Sequence, residues 1–269
     1  MVTDADFESE LLEVAVEAAR AAGAELLARW RRPLVVSTKS TPTDPVSDAD
    51  IAAEAAIRDV LGSRRPADAI LGEEGGATSG RQESGATGQG ELTWVVDPLD
   101  GTVNFLYGLP TFAVSVAVRD GEGWLAGVVL DPVRDELFSA TRGGDPLVDD
   151  EPIAASRCST LDHALIATGF GYDPEVRALQ GEVVARLLPM ARDIRRAGAA
   201  ALDMCWCASG RLDAYFERGV KEWDIAAGTL LCRRAGLAVR TLEPHGKLPS
   251  GVLVAPPPIV DELYGLVAS

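Results

Sequence analysis

Apolar and polar positions along this chain recur with two periods, one helical and one of strands. From Asp4 to Trp30, the residues Phe7, Leu11, Val14, Ala18, Ala22, Leu26 and Trp30 return at three- or four-residue steps, with Glu and Arg between them. That spacing predicts a long amphipathic helix over 4–30, with Asp4 as its N-cap and Arg31-Arg32-Pro33 as its end. Residues 34–47 read as extended and turn-rich. A second helix is predicted from Ser47 or Asp48 to Gly62, with Ile51, Ala55 and Leu61 on its apolar face. Asp50 and Glu54, four apart, share one face near its start. Acids there favour the helix dipole, and for Glu54 that is the whole expected role.

Ala69–Gly72 predicts a short strand, ending in Glu73-Glu74. The polar run Gly75–Gly90 reads as a flexible connection without packing of its own. The β-rich stretch Trp94-Val95-Val96-Asp97 follows, then strands over Phe112–Arg119, Trp124–Asp131 and Glu136–Ala140, an antiparallel meander. Beyond about residue 160, strands (Ala164–Thr168, Asp193–Arg196, Ala214–Glu217, Leu237–Leu242, Val252–Ala255) alternate with helices (Pro174–Met190, Ala199–Ser209, Asp224–Ala235, and one from Ile259). Alternation of this kind implies a sheet covered by helices. The expected organisation is two halves, 1–155 (α+β) and 156–269 (α/β), packed as one unit.

Length and charge narrow the function. The 269 residues are ample for a core. A net charge of −16 argues against nucleic acid or an anionic membrane as partner, and no apolar run approaches membrane-spanning length. The acidic N-terminal segment lacks the pattern of a signal peptide. Cys158, Cys205, Cys207 and Cys232 form no CxxC pair and no zinc spacing, so they read as reduced thiols of a cytoplasmic protein.

The chemistry concentrates in Asp97-Pro98-Leu99-Asp100-Gly101-Thr102. Asp-Pro favours a type I turn that folds Asp100 back beside Asp97. Gly101 permits close backbone approach, and Thr102 opens a short helix. Two carboxylates at one point repel each other by about 4 kcal/mol at 4 Å and an effective dielectric near 20, so a cation is the natural third party. A second acidic focus, Lys221-Glu222-Trp223-Asp224, precedes an apolar helix, where Asp224 is an N-cap candidate. His163 and His245 belong to neither focus, and no GxSxG elbow is present.

These features resemble the inositol monophosphatase family. Gly72-Glu73-Glu74, Asp97-Pro98-Leu99-Asp100-Gly101-Thr102-Val103-Asn104-Phe105, Gly198-Ala199-Ala200-Ala201 and Trp223-Asp224-Ile225-Ala226-Ala227-Gly228 stand in that family's order. The extension Asn104–Pro110 is similar to its bacterial branch. The resemblance implies an α/β fold, a layered αβαβα sandwich. It implies a Mg²⁺-dependent, lithium-sensitive phosphomonoesterase, often a homodimer, acting on a small phosphate monoester.

By motif position, Glu73, Asp97 and the Leu99 carbonyl resemble ligands of one Mg²⁺, and Asp97, Asp100 and Asp224 those of a second. The resemblance also implies that Glu73 is a catalytic group and touches a weaker third ion. Gly101 and Thr102 resemble the phosphate-binding backbone. The Thr102 hydroxyl paired with Asp50 resembles the group that orients and deprotonates the attacking water. Gly198, Ala200 and Glu217 fall where the family contacts the alcohol, with Asp100 and Asp224 beside them, and Lys39 matches a lysine near the metals. Ala199 stands where a hydroxyl residue is common, and Ala235-Gly236 where two glycines are.

The resemblance implies inositol 1-phosphate or a related polyol phosphate as substrate, and Glu217 modestly favours a polyol, because a carboxylate accepts hydrogen bonds from hydroxyls and would repel a second phosphate. Histidinol-phosphate, fructose-bisphosphate and adenosine-bisphosphate phosphatases share the metal core and remain alternatives. A catalytically silent, metal-stabilised regulatory protein is the alternative of another class; metal binding alone needs neither Asp50 nor Thr102.

Overall fold

A computed structural model describes residues 4–38, 45–80 and 92–269. Its helices among the described residues are α1 (Asp4–Arg29), α2 (Asp48–Arg64), α3 (Thr102–Leu106), α4 (Pro174–Leu187), α5 (Ala200–Ala208), α6 (Glu222–Arg234) and α7 (Pro257–Val267). In the first half the strands are β1 (Val36–Thr38), β2 (Pro45–Ser47), β3 (Ala69–Gly72), β4 (Gly76–Thr78), β5 (Thr93–Asp100), β6 (Ala113–Asp120), β7 (Gly123–Asp131), β8 (Glu136–Thr141), β9 (Leu147–Val148) and β10 (Glu151–Pro152). The second half adds β11 (Leu165–Thr168), β12 (Asp193–Arg195), β13 (Ala214–Arg218), β14 (Ala238–Leu242) and β15 (Gly251–Ala255).

The larger sheet runs β10-β9-β8-β7-β6-β5-β3-β4; β6 to β8 form the expected antiparallel meander, and β5 joins it antiparallel to β6. The smaller sheet runs β12-β11-β13-β15-β14 and is mixed, with β11 parallel to both its neighbours. Helices α1 and α2 cover the outer face of the larger sheet, burying Leu11, Val14, Leu26, Ile57 and Leu61 against Trp94, Val96 and Val114. Helices α5 and α6 lie between the sheets and pack on both. Helices α4 and α7 close the far side over Ile166, Phe216 and Leu253. The layers therefore read αβαβα, as expected.

The middle layer is tight. A Cβ built on Gly127 of β7 would lie 3.0 Å from the Cα of Ala227 in α6, so helix and strand meet at backbone distance. Alanines at 199, 200, 201, 208, 226 and 227 allow that approach. Cys205, Cys207 and Cys232 are buried in this layer as free thiols, and burial pushes each of them up from the ordinary thiol range. Among the described residues no helix is long and apolar enough to cross a membrane.

Four local expectations change. α2 runs through Gly62 to Arg64, because neither φ nor packing at Gly62 demands a stop. Its buried face is Ala49, Asp50, Ala53, Glu54, Ile57 and Leu61, whereas Ile51 is 60% exposed and Ala55 is also outside. Two acids occupy core-facing positions and so rotate the apparent apolar stripe. Within the run read as unpacked, Gly76–Thr78 pairs with Ile70–Gly72 as β4. Residues 81–90 of that run, and Lys39, lie outside the described residues.

The fourth concerns Asp97–Asp100. The chain does not reverse in a turn there; it stays paired with β6, and the register slips by one residue between Asp97 (opposite Ser115) and Asp100 (opposite Ala113). Such a bulge accommodates Pro98, which has no N–H for the ladder. It also swaps faces. Val95 packs in the inter-sheet core, and Leu99, four residues on, packs in the opposite core. Alternation alone would send Asp97 and Asp100 to opposite faces; the extra residue puts them on one side.

Candidate active site

β5 brings Asp97 to the end of the larger sheet, 1% exposed. Its Oδ1 accepts the N–H of Leu99 at 2.9 Å, which pins the bulge. Gly101 follows with φ +91°, and a Cβ there would meet the Thr111 and Gly198 carbonyl oxygens at 3.0 and 3.2 Å. Only glycine fits both the left-handed backbone and that contact. α3 begins at once with Thr102.

The Thr102 Oγ1 lies 3.0 Å from Asp50 Oδ1 and 3.1 Å from the Leu99 carbonyl oxygen. Asp50 reaches it from α2, fully buried. Ser47 caps that helix, its Oγ accepting from Ala49 N at 3.2 Å. The other Asp50 oxygen, Oδ2, accepts the Ser47 N–H at 2.8 Å and its hydroxyl at 2.6 Å. One side chain thus closes a capping box and keeps its second oxygen for Thr102.

Asp100 turns toward the second half. Its Oδ2 accepts the backbone N–H of Ala201 at 2.7 Å. The N-cap of α5, Ala199, has no side-chain capping bond of its own. Asp100 supplies that acceptor from another part of the chain, which gives a physical reason why a hydroxyl is dispensable at 199. Asn104 adds a second link, with Nδ2 donating to the carbonyls of Thr111 (2.7 Å), Ala197 (2.9 Å) and Gly198 (3.3 Å). Gly198 and Ala200 are thereby held next to the Asp97–Thr102 corner.

Asp224 belongs to α6. It is not the N-cap, a position taken by Lys221; it sits three residues on and accepts the Lys221 N–H at 2.6 Å. Glu217, next to last in β13, is half-buried and accepts the Tyr215 hydroxyl at 2.8 Å. Glu73 follows β3, its backbone N–H bonded to the Val96 carbonyl at 3.3 Å.

These carboxylates feel one another. Burial, then the charges of Glu73, Asp100 and Asp224, hold Asp97 well above the ordinary carboxylate range. Burial and the Asp224 charge raise Asp100 against the pull of the Ala201 N–H. Asp224 is pushed up to about 7, by burial first and then by Glu73 and Glu217, with the Lys221 N–H opposing. Burial raises Glu217, opposed by the Tyr215 hydroxyl and Arg196. Among the described residues, no three His, Cys, Asp or Glu side chains close into a ready-made cage. The carboxylates ring the corner instead, three of them held on backbone N–H groups. Hard Mg²⁺ suits an all-oxygen set of this kind, because it takes carboxylate and carbonyl oxygens and keeps several waters.

The structure therefore groups Asp50, Glu73, Asp97, Leu99, Asp100, Gly101, Thr102, Gly198, Ala200, Glu217 and Asp224 around one corner. His163 and His245 are exposed and elsewhere. Sequence reasoning missed Glu54. It is 3% exposed and accepts the N–H groups of Glu74 and Gly75 at 2.7 and 2.8 Å, so it acts well beyond the helix dipole. The signal was its four-residue offset from Asp50.

A family model described as the inositol monophosphatase family matches residues 8–266. The chain is 46% identical over 233 residues to the inositol-1-monophosphatase SuhB of Mycobacterium tuberculosis, covering 85% of this chain and 79% of that one. It is 40% identical over 261 residues to the Nus factor SuhB of Pasteurella multocida, covering 96% and 95%. Among solved structures, the extragenic suppressor protein suhB of Bartonella henselae superposes with a TM-score of 0.86 at 33% identity, covering 95% of this chain and 97% of that one.

Proposed function

Because the chain belongs to the inositol monophosphatase family, we propose that it is a Mg²⁺-dependent phosphatase releasing phosphate from inositol 1-phosphate or a related polyol phosphate. The observation that carries this reading is the gathering of Asp97, Asp100, Asp224 and Glu73, four mutually repelling carboxylates, beside the Thr102–Asp50 pair. Like charges so placed are costly without cations.

Glu73, Asp97 and the Leu99 carbonyl would hold one Mg²⁺; Asp97, Asp100 and Asp224 would hold a second, with Glu73 also toward a third. Bound there, Mg²⁺ would supply Lewis acidity for the attacking water and for the charge on the ester and its leaving oxygen. The chain's own residues do the rest. Asp50 Oδ2 is committed to Ser47, so Oδ1 accepts the Thr102 proton. That turns the lone pairs of the Thr102 hydroxyl toward the cleft, where they accept a proton from the attacking water as Asp50 takes the hydroxyl's own. The backbone of Gly101 and Thr102 receives phosphate oxygens. Gly198, Ala200 and Glu217 line the alcohol side with Asp100 and Asp224, and the Glu217 carboxylate accepts polyol hydroxyls.

We read the enzyme as a cytoplasmic homodimer of the two packed halves 1–155 and 156–269, with a small phosphate monoester as its partner. The name of the Pasteurella relative motivates a second, regulatory reading. The Thr102–Asp50 pair favours catalysis, since binding ions or a partner needs neither group.

Phosphate release from inositol 1-phosphate, histidinol phosphate, fructose 1,6-bisphosphate and adenosine 3′,5′-bisphosphate tests the assignment. The expected result is the highest kcat/KM on inositol 1-phosphate, lost in chelator and restored by Mg²⁺. Turnover undiminished by chelation, or none on any polyol phosphate, overturns it.

A further inference from the structure

One face of α2 carries Asp50, Glu54 and Arg58 at four-residue steps. Asp50 serves Thr102. Glu54 and Arg58 enter the turn that joins β3 to β4. Glu54 Oε2 accepts the Glu74 N–H at 2.7 Å, and Oε1 accepts the Gly75 N–H at 2.8 Å. Arg58 Nε donates to Glu54 Oε1 at 2.7 Å, its Nη2 to the Gly76 carbonyl at 2.8 Å, and its Nη1 to Thr78 Oγ1 at 3.1 Å. Apart from the Arg58–Glu54 ion pair itself, these bonds all go to the backbone or side chains of residues 74–78, with Glu54 buried and Arg58 partly so.

The two glycines flanking the acids exist for this contact. A Cβ at Gly72 would fall 2.6 Å from Glu54 Oε1 and 2.9 Å from Arg58 Nη2; one at Gly75 would fall 2.6 and 2.8 Å from the same atoms. Glu73 stands between them. On its N-terminal side it is fixed by the last bond of β3 to β5, from its own N–H to Val96. On its C-terminal side the next two N–H groups are captured by Glu54. Its carboxylate is the charged neighbour that contributes most to the electrostatic rise at Asp97.

We propose that Glu54 and Arg58 are positioning residues for Glu73, and that they set the affinity of the carboxylate corner for divalent cations without touching the phosphate ester. The proposal rests on the reading of Glu73 as a metal ligand. Groups that orient a ligand govern metal affinity nearly as strongly as the ligand itself, typically by about 10–100-fold. A purely structural pair would instead lower stability and leave cation affinity unchanged in the folded protein.

The test measures Mn²⁺ binding by calorimetry in the full chain, without substrate, for wild type, Glu54→Gln and Arg58→Lys. Amide exchange at Glu74 and Gly75 and steady-state kinetics at varied Mg²⁺ accompany it. Glu54→Gln keeps one acceptor but loses the charge that pairs Arg58. Expected are Mn²⁺ binding weakened about tenfold, faster exchange at both amides, and half-maximal Mg²⁺ raised in parallel, with KM for the ester within about twofold. Faster amide exchange with unchanged Mn²⁺ affinity overturns the proposal. Should Glu54→Gln fail to fold, Arg58→Lys decides, because it keeps the charge but not the fork that spans Gly76 and Thr78. Wild-type protein that binds no Mn²⁺ and is indifferent to Mg²⁺ overturns the metal reading itself, a result distinct from a clamp that fails to matter.

Discussion

Asp100 Oδ2 accepts the backbone N–H of Ala201 at 2.7 Å, although the two residues are 101 positions apart. A carboxylate of the proposed catalytic corner thus doubles as the missing cap of α5. The two roles separate by substitution. Asp100→Asn keeps an acceptor oxygen for Ala201 but loses the charge; it is expected to unfold within about 0.5 kcal/mol of wild type and to lose about a hundredfold in kcat/KM or more. Asp100→Ala should lose activity to the same degree and about 1 kcal/mol of stability besides. Urea unfolding beside phosphate release reads both.

Asp97→Asn should abolish turnover and leave the fold intact. Its carboxylate is buried among like charges, so in chelator the melting temperature of the variant should equal or exceed that of wild type. A fall of several degrees in chelator, or near-normal activity, would count against the charge-crowding account.

Asn104 bridges the halves through one amide nitrogen facing three carbonyl oxygens. Asn104→Asp puts an anion against those acceptors and removes the donor. Stability should fall by about 3 kcal/mol or more, whereas Asn104→Ala should cost about 1–3 kcal/mol. Urea midpoints of the two variants, compared side by side, check the order.

Glu217→Gln should change polyol preference more than phosphate handling. On the proposed reading its carboxylate faces the alcohol, and it accepts the Tyr215 hydroxyl at 2.8 Å. A drop of about tenfold in kcat/KM on inositol 1-phosphate, with little change on a simple aryl phosphate, is expected for loss of a hydrogen bond to a charged group. Equal losses on both substrates would remove the pocket role.

Acid should dissolve one stabilising pair. Arg211 binds both oxygens of Glu136 at 2.6 Å and holds its carboxyl below the usual 4.5. A depressed folded pKa contributes stability above the unfolded value and loses it as pH falls through the folded one. Glu136→Gln should therefore cost about 1 kcal/mol at pH 7. The difference from wild type should close as pH drops below the ordinary carboxylate range, as thermal melts at stepped pH will read.

The order of elements and the Asp-Pro-Leu-Asp-Gly-Thr corner were legible because both are local. Leu11, Val14, Ala18, Ala22 and Leu26 repeat along one stripe, and a strand running into Asp97 needs no distant information. α2 was misread for a physical reason. Asp50 and Glu54 are buried because partners 52 and 20 positions away satisfy them. A periodicity count treats acids as solvent-facing, so it turned the helix toward Ile51. The bulge at Asp97–Asp100 was equally hidden. Asp-Pro satisfies turn statistics, and only pairing with Ser115 and Ala113 keeps the segment extended. The cap on α5 was invisible because its acceptor is Asp100, and no window around Ala199 contains it.

α6 forms a wall of the inter-sheet core and presents Asp224 at its first turn. The free energy that keeps the smaller sheet docked is therefore the same free energy that keeps Asp224 opposite Asp97. Enlarging Gly127, whose added Cβ would meet Ala227 one turn along α6 from Asp224, should therefore displace Asp224 as well as loosen the sheets. On the proposed metal reading, the grip on a cation would be a gauge of how firmly the sheets are seated.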